Sequence, residues 1–197
     1  MDEDELDRAA TAIRGGELVV YPTETVYGLA ADALDPAAVE RVFDAKGRDR
    51  DKPISFAVPT FETAVEEGYV EATDRERAFA DDFLPGPVTV LCARRDPIPD
   101  ALVADRDRVG VRVPDCEPAL ELCSRAGRPI TATSANESGQ PSARRVDEVS
   151  ERVREAAVVL DGGETPGTES TVVDVSSETI HRRGALADEI DAWLEDG

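Results

Sequence analysis

The chain has 197 residues, and this length predicts one domain, 1–197, large enough to bury a core and hold a cleft. Its formal net charge of −21 opposes nonspecific binding to nucleic acid and to anionic membranes, because both present negative phosphates. The acidic first residues lack the apolar segment of a signal peptide, and no window approaches about 18 uncharged apolar residues. We therefore expect a cytoplasmic protein with weak or no direct nucleic-acid binding and no membrane partner.

Lysine is nearly absent, since Lys46 and Lys52 are the only two and arginine supplies the other basic side chains. Such an acid excess is typical of adaptation to a salt-rich cytoplasm, where screening over about 3 Å at molar salt relieves self-repulsion. We expect a halophilic protein, and an ordinary acidic protein is the alternative.

Cysteine and histidine are too few to support several common kinds of site. Cys92, Cys116 and Cys123 have no metal-ligand spacing, and their apolar surroundings predict free thiols rather than disulfides. His181 is the only histidine, which excludes a histidine-bearing catalytic triad and a two-histidine zinc site, and we expect a half-exposed strand residue.

Apolar spacing predicts helices and strands that intermix along the chain without strict βαβ alternation. A helix over 4–14 precedes a strand over 18–21, and Asp35 caps a helix over 36–45 whose end delivers Lys46 and Arg48 into a loop. Further strands are predicted at 54–58, 88–93, 109–113, 129–133, 157–160, 170–175 and 178–182, and further helices at 61–68, 74–83, 117–126, 145–155 and 186–194. This order predicts an α/β fold with a twisted mixed sheet and helices on its faces, rather than a Rossmann fold. The polar loops after Tyr21, Val113, Thr133 and Leu160 are predicted to converge at one mouth.

Several polar segments follow predicted strands or helices and are typical of ligand-binding loops. Residues 131–139 carry hydroxyls, an amide and a glycine, and residues 22–28 set two threonines and a glutamate just past a strand end. The alternating cations at 46, 48, 50 and 52 predict an anion site, with a solvated loop as the alternative. The chain has neither a P-loop nor a dinucleotide-binding glycine motif.

Arg112 alternates with valines along a predicted strand, so its side chain shares a face with Gly110. A buried or cleft-lining arginine needs an anionic partner. Two partners remain open at this point, a protein carboxylate in a structural ion pair and a substrate carboxylate or phosphate.

Seven segments in the same order resemble the YrdC-like threonylcarbamoyl-AMP synthase family, over about residues 6–186. They are 22–28, 46–48, 85–89, 112–114, 134–142, 169–174 and 182–184. The resemblance implies a large concave cavity in a twisted α/β sheet. It also implies an enzyme, a nucleotidyltransferase that joins L-threonine, bicarbonate and ATP into threonylcarbamoyl-adenylate with loss of pyrophosphate, for threonylcarbamoyladenosine modification of tRNA.

The resemblance also implies roles for eleven residues. Lys46 and Arg48 are the expected catalytic pair and contact the ATP phosphates and the carbonate. The ATP side further includes Lys52, Ser134, Asn136, Ser142 and Arg182. The threonine side includes Thr23, Thr25, Arg112 and Ser170. Mg²⁺ is expected with ATP and no protein side chain is expected to bind it, and the adenylate is expected to pass to the tRNA threonylcarbamoyl-transferase machinery.

The chain departs from this family's pattern at two positions. Many relatives carry histidine where this sequence has Ala57, and threonine where it has Arg108. Longer relatives append a second domain, which is not expected here. The alternatives to an enzyme of this family are a noncatalytic RNA-binding module of the same fold and a carbamoyl-transfer domain like that of hydrogenase-maturation proteins.

Overall fold

The computed structural model describes residues 1–196, which form a ten-stranded mixed sheet flanked by helices. The helices are α1 (Glu3–Arg14), α2 (Pro36–Lys46), α3 (Phe61–Glu66), α4 (Asp74–Phe83), α5 (Asp100–Val103), α6 (Glu117–Ala126), α7 (Glu151–Glu155) and α8 (Ala187–Asp196). The strands are β1 (Leu18–Tyr21), β2 (Gly28–Ala30), β3 (Ser55–Ala57), β4 (Val70–Glu71), β5 (Val88–Arg94), β6 (Arg108–Arg112), β7 (Ile130–Ser134), β8 (Ala157–Val159), β9 (Thr171–Asp174) and β10 (Thr179–Arg182). Within residues 1–196 no helix is long and apolar enough to cross a membrane.

The strand order across the sheet is β10-β9-β5-β6-β3-β7-β2-β1-β8, and β4 pairs separately with β5. The pairs β1–β8, β3–β6 and β5–β9 are parallel, and the other pairs are antiparallel. The mixed α/β sheet expected from the sequence is thereby confirmed. Within residues 1–196, five of the nine strand pairs join strands that are not neighbours in sequence, so residues from distant segments meet on the faces of the sheet.

Side-chain caps fix the helices that deliver site residues. The Asp35 carboxylate accepts the Ala37 amide at 2.9 Å and begins α2, as predicted, and Gly47 ends this helix in the left-handed region at φ 56°. In α4, Thr73 and Glu76 form a capping box in which the Glu76 carboxylate accepts the Thr73 amide at 2.8 Å. This capping box positions the Glu76 side chain through contacts within the first turn of α4 alone.

The two faces of the sheet bury separate apolar clusters. One cluster includes Phe43, Phe56 and Phe79 and lies on the face covered by α2, α3 and α4. The other includes Ile13, Leu122 and Ile130, because α1 and α6 pack against each other over β1, β2 and β7. The helices α1 and α6 cover only part of their face, and the uncovered part becomes a cavity.

The structure corrects several element boundaries. The helix predicted at 145–155 is only the short α7, preceded by a 3₁₀ turn at Val146–Glu148, because Ser150 caps the Val153 amide and starts a new helix. The strands β2 and β4 and the helix α5 were not predicted. Each has four residues or fewer, and so short a segment carries little periodic signal.

Candidate functional site

A cavity of about 530 Å³ lies on the sheet face that α1 and α6 leave uncovered. Its floor is built from β1, β2, β7, β3, β6, β5 and β9, and its walls from the loops that follow β1, α2 and α5. Five arginines and three carboxylates line it, which reverses the excess of acid in the chain as a whole. They are Arg48, Arg106, Arg108, Arg112, Arg182, Asp107, Glu169 and Asp174. The interior therefore favours an anionic ligand.

Small residues in the central strands make room for the cavity. A Cβ atom on Gly110 would lie 2.7 Å from the Thr89 methyl group and would collide with the Ser55 hydroxyl. A Cβ atom on Gly28 would lie 2.7 Å from a ring carbon of Tyr21, which itself borders the cavity. Glycine is thus required at both positions by close approach of neighbouring side chains.

Thr23 and Thr25 lie in the wall formed by the loop after β1, as predicted. The Thr23 hydroxyl donates to the Val26 carbonyl oxygen at 2.7 Å and lies 2.7 Å from the Thr25 hydroxyl. It also accepts the amides of Thr25 and Val26 at 3.1 and 3.2 Å. The threonines therefore hold the loop in a tight turn as well as presenting polar groups to the cavity.

Arg112 pairs with a protein carboxylate. Of the two partners that the sequence left open, the structure therefore shows the structural ion pair. Its Nη2 donates to Glu24 Oε1, and the two side chains are only 12% and 13% exposed. Arg112 also borders the cavity, and both its Nε and Glu24 Oε2 are buried without a hydrogen-bond partner among residues 1–196. The guanidinium keeps donor capacity beyond the ion pair, so a ligand carboxylate remains compatible with it.

Arg48 borders the cavity without a carboxylate partner in the part of the chain that the structure describes. Its Nε donates to the Lys52 carbonyl oxygen at 3.1 Å, and its Nη2 donates to the Pro53 carbonyl oxygen at 3.0 Å. Burial and the nearby Arg182 guanidinium both lower the pKa of Arg48. Asp49 and Asp51 oppose this lowering of the pKa only in part, so the positive charge of Arg48 is incompletely compensated.

Hydroxyl and carboxylate groups link Arg182 to the opposite wall. Its Nη2 donates to the Ser170 hydroxyl at 2.7 Å, and its Nη1 lies 3.2 Å from Glu169 Oε2. Glu169 Oε1 accepts the Ser142 hydroxyl at 2.6 Å, and Ser170 lies 3.1 Å from the Thr89 hydroxyl. Burial lowers the pKa of Arg182 despite the opposing effect of Glu169, and Arg112 lowers it further.

Lys46, predicted to contact the phosphates, lies behind the cavity wall and is not among the residues that line the cavity. Its side chain is almost fully buried, and its Nζ donates to the carbonyl oxygens of Ser134 and, at 2.7 Å, Asn136. Its own carbonyl oxygen accepts the Ser138 amide at 2.8 Å. Burial, and secondarily Arg48, lowers the pKa of Lys46 to about 7. This lysine positions the loop after β7, with Ser134 facing the cavity in front of it.

Asn136, Ser142 and Lys52 also lie outside the cavity lining. The Asn136 amide donates to the carbonyl oxygens of Glu137 at 2.8 Å and Gln140 at 2.7 Å, which shapes its own loop. The Lys52 ammonium pairs with Asp49 at 2.7 Å in an exposed turn, and Lys52 does not line the cavity.

Seven of the eleven predicted residues therefore meet at one cavity. They are Thr23, Thr25, Arg48, Arg112, Ser134, Ser170 and Arg182. The loops after Tyr21 and Thr133 border it, whereas the loops after Val113 and Leu160 pack behind the loop after β1. His181 is an exposed strand residue at the rim rather than a half-exposed one.

The sequence assigned no role to two half-buried groups that bear on the site. Glu24 is the partner of Arg112, and Arg108 is held between Glu76 and Asp174 at one end of the cavity. Alternation along β6 puts Arg108 on the same face as Gly110 and Arg112, and this signal could have found it. Ala57 is buried beneath α6 with Leu122 and does not line the cavity.

Within residues 1–196 no group of three histidine, cysteine, aspartate or glutamate side chains could hold a metal ion. The three cysteines are free thiols, as predicted, with Cys92 and Cys123 buried and Cys116 half-buried. Burial raises the pKa of Cys123 to about 12, so this thiol is not ionised near neutral pH.

Comparison with known proteins agrees with the resemblance found in the motifs. The Sua5/YciO/YrdC family model, described as telomere recombination, matches residues 11–184. A threonylcarbamoyl-AMP synthase of Pyrococcus abyssi is 43% identical over 170 residues, which cover 85% of this chain and 50% of that protein. A threonylcarbamoyl-AMP synthase of Photobacterium profundum is 31% identical over 186 residues, which cover 92% of this chain and 100% of that protein.

A solved structure extends the similarity to three dimensions. The crystal structure of P. abyssi Sua5 complexed with L-threonine matches with a TM-score of 0.90 and 39% identity, over 98% of this chain and 58% of that chain. The match thus covers about half of the curated Pyrococcus relative and 58% of the solved Pyrococcus chain. Since the family model matches most of the sequence, this protein belongs to the Sua5/YciO/YrdC family.

Proposed function

We propose that this protein is a threonylcarbamoyl-AMP synthase, which joins L-threonine, bicarbonate and ATP and releases pyrophosphate. The observation that carries the proposal is the guanidinium of Arg48, which has no carboxylate partner within residues 1–196 and borders a cavity that gathers five arginines in a chain of net charge −21. A polyanion such as ATP supplies the missing negative charge. The relatives named for this activity, and the Sua5 structure that contains L-threonine, support the same assignment.

The proposed reaction requires orientation and charge neutralisation more than a protein nucleophile. Threonine and bicarbonate combine to a carbamate with loss of water, and a carbamate oxygen then bonds to the α-phosphorus as the bond to pyrophosphate breaks. Arg48 and Arg182 neutralise the phosphates, while Arg112, held by Glu24, binds the threonine carboxylate. The hydroxyls of Thr25, Ser134 and Ser170 orient the substrates from the cavity wall.

Lys46 contributes through the loop that it supports. Its ammonium fixes the carbonyl oxygens of Ser134 and Asn136, so it positions the Ser134 hydroxyl and adds a positive field behind the phosphates. Ser142 also acts indirectly. Its hydroxyl donates to Glu169, and Glu169 in turn holds Arg182. Lys52 would contact ATP only after its ion pair with Asp49 breaks.

Mg²⁺ is proposed as a companion of ATP and thus as part of the substrate. Two of the three cavity carboxylates, Glu169 and Asp174, are already engaged by arginines, and within residues 1–196 no three metal-binding side chains cluster, which fits a metal ion held by phosphate oxygens rather than by protein side chains. The adenylate product is proposed to pass to the tRNA threonylcarbamoyl-transferase machinery. The net charge of −21 favours this hand-over in the cytoplasm over direct tRNA binding by the chain itself.

Pyrophosphate release tests the proposed function directly. We expect release from ATP only when threonine and bicarbonate are both present, because the attacking carbamate contains both. Radiolabelled ATP, with each co-substrate omitted in turn, provides the measurement. Release from ATP alone at the same rate would identify a simple ATP hydrolase.

Arg48→Ala is expected to reduce kcat/KM by about 10²-fold or more, because it removes a charge-assisted contact that stabilises the transition state. The matched control is Arg50→Ala, two residues away. Arg50 is 55% exposed and pairs with Glu40 and Asp44, so its loss is expected to change kcat/KM by less than about 3-fold. Equal losses in the two variants would mean that the cationic loop acts only as a diffuse field.

The pKa of Lys46 predicts a pH dependence of nucleotide binding. With a pKa of about 7, lowered from 10.5, the amine of the free protein is mostly neutral at pH 8. Nearby phosphates favour the charged amine, so ATP binding should take up a proton, and ATP affinity should fall as pH rises above 7. Calorimetric titrations at pH 8 in buffers of different ionisation enthalpy measure this uptake. Lys46→Met is the control and should abolish it, and identical uptake in that variant would assign the proton to another group.

The acid excess predicts opposite effects of salt on stability and on substrate binding. The screening length falls from about 30 Å at 0.01 M to about 3 Å at 1 M, which relieves self-repulsion in a folded chain of charge −21. We therefore expect Tm to rise with KCl while ATP affinity falls. Thermal melts and calorimetry across a KCl series measure both, and a Tm that is flat or declines with KCl rules out the halophilic interpretation.

A further inference from the structure

Nine residues without regular secondary structure, 161–169, run from just after β8 to the rim of the cavity, and we call them the strap. The strap contains three glycines, of which Gly163 and Gly167 have φ values of 80° and 94°. Its last residue, Glu169, borders the cavity, where its carboxylate lies 3.2 Å from Arg182 Nη1. Glycines leave the backbone little intrinsic preference for one path, so contacts with other segments must define where Glu169 lies.

The hydroxyl of Tyr27 anchors the beginning of the strap. The side chain of Tyr27 is buried in the larger apolar cluster. Its hydroxyl donates to the Gly163 carbonyl oxygen at 2.7 Å and accepts the Gly162 amide at 3.0 Å, and Asp161 Oδ1 is a second acceptor at 3.2 Å. Burial raises the pKa of Tyr27, so the hydroxyl keeps the proton that it donates. Residues 161–163 are therefore bonded to a side chain that is itself fixed by the core.

The middle of the strap is held by contacts of a different kind. The Thr165 amide donates to the Arg144 carbonyl oxygen at 2.9 Å, and the Gly167 amide donates to the Thr25 carbonyl oxygen at 2.7 Å. The Arg144 side chain also contacts the strap, through an ion pair in which both partners are about half exposed, and such pairs contribute little to stability. Tyr27 therefore supplies a buried side-chain anchor that the backbone contacts do not replace.

The backbone of Tyr27 holds a second loop that contacts the strap. Its amide donates to the Ala143 carbonyl oxygen at 2.9 Å, and its carbonyl oxygen accepts the Ala135 amide at 2.7 Å, so both ends of the loop after β7 are tied to Tyr27. That loop carries Ser142, whose hydroxyl donates to Glu169 at 2.6 Å. The strap and the loop after β7 thus meet at Glu169, and Tyr27 contacts both of them.

We propose that Tyr27 is a positioning residue for the ATP side of the cavity, which acts through the strap to hold Glu169 against Arg182. This inference rests on the proposed function, in which Arg182 neutralises the phosphates. A guanidinium that is already held by a fixed carboxylate loses less conformational entropy when a phosphate binds. Loss of the Tyr27 hydroxyl releases residues 161–163, so Glu169, and with it Arg182, samples more orientations.

The test combines two substitutions in the pyrophosphate-release assay. Tyr27→Phe removes the hydroxyl and keeps the ring, and we expect kcat/KM for ATP to fall by about 10-fold. Glu169→Gln removes the charge that holds Arg182 and keeps an acceptor for Ser142. In that background Tyr27→Phe should cost less than about 2-fold, because both changes act on the same contact. A merely structural role of Tyr27 would lower Tm and give the same loss in both backgrounds.

Tyr69→Phe is the matched control. Tyr69 is also buried, and its ring packs edge-on against Phe56 of β3 rather than against the strap. This substitution should leave kcat/KM for ATP unchanged. If Tyr27→Phe does not fold, Asp161→Ala releases the same end of the strap from an exposed position, since the Asp161 carboxylate accepts the Gly163 amide at 2.9 Å, and it must show the same coupling to Glu169→Gln.

Hydrogen exchange measures the end of the strap without any substrate. The Ala185 amide donates to the Glu169 carbonyl oxygen at 3.0 Å, so its exchange reports how firmly Glu169 is held. It should exchange at least about 5-fold faster in Tyr27→Phe and at the wild-type rate in Tyr69→Phe.

Each outcome separates this inference from the function on which it rests. Unchanged exchange at Ala185, or an equal loss of kcat/KM from Tyr27→Phe with and without the Glu169→Gln change, overturns the role of Tyr27 and leaves the proposed function intact. If the wild-type protein releases no pyrophosphate, the proposed function fails, and the exchange measurement alone decides whether Tyr27 positions Glu169.

Discussion

A cavity in the middle of a sheet face exists only where the central strands place almost no side chain. Gly28 and Gly110 meet this constraint here, and Ser55 and Ala132 border the same space with small side chains. The helices α1 and α6 cover the apolar part of the same face and stop short of this depression. The polar groups of the site surround the space above these two glycines. A larger side chain at either glycine would fill that space and remove the site, while the fold would persist.

The arginines around the cavity differ in how their charge is balanced. Arg112 and Arg108 are each held by protein carboxylates, whereas Arg48 donates, among the residues that the structure describes, only to backbone carbonyl oxygens. A buried charge without a counterion is costly, and an incoming anion relieves that cost. The carboxylate-held arginines are fixed before a ligand binds, which limits the conformational entropy lost on binding, and the uncompensated one supplies the attraction.

The distribution of charge separates the interior of the cavity from the rest of the molecule. Many of the arginines outside the cavity are exposed and paired with carboxylates, such as Arg50 with Asp44 and Arg183 with Asp188. Exposed pairs of this kind contribute little to stability and are screened by salt. At the cavity, by contrast, Arg112 is only 12% exposed and is screened less, so an acidic surface and an anion-binding interior can coexist in one small protein.

The sequence by itself determined most helices and strands, the net charge, the loop that carries Arg48 and the inward face of Arg112, because periodicity and local charge are properties of short segments. Its motifs also pointed to the family. Only the tertiary structure decided that Glu24 is the partner of Arg112, that Lys46 supports a loop behind the cavity wall, and that Glu76 and Asp174 hold Arg108. Glu24 and Arg112 are 88 residues apart, and alternation along a strand tells which face a side chain takes but not which distant segment lies opposite. That pairing is set by the order of strands in the sheet, which depends on the packing of the whole chain.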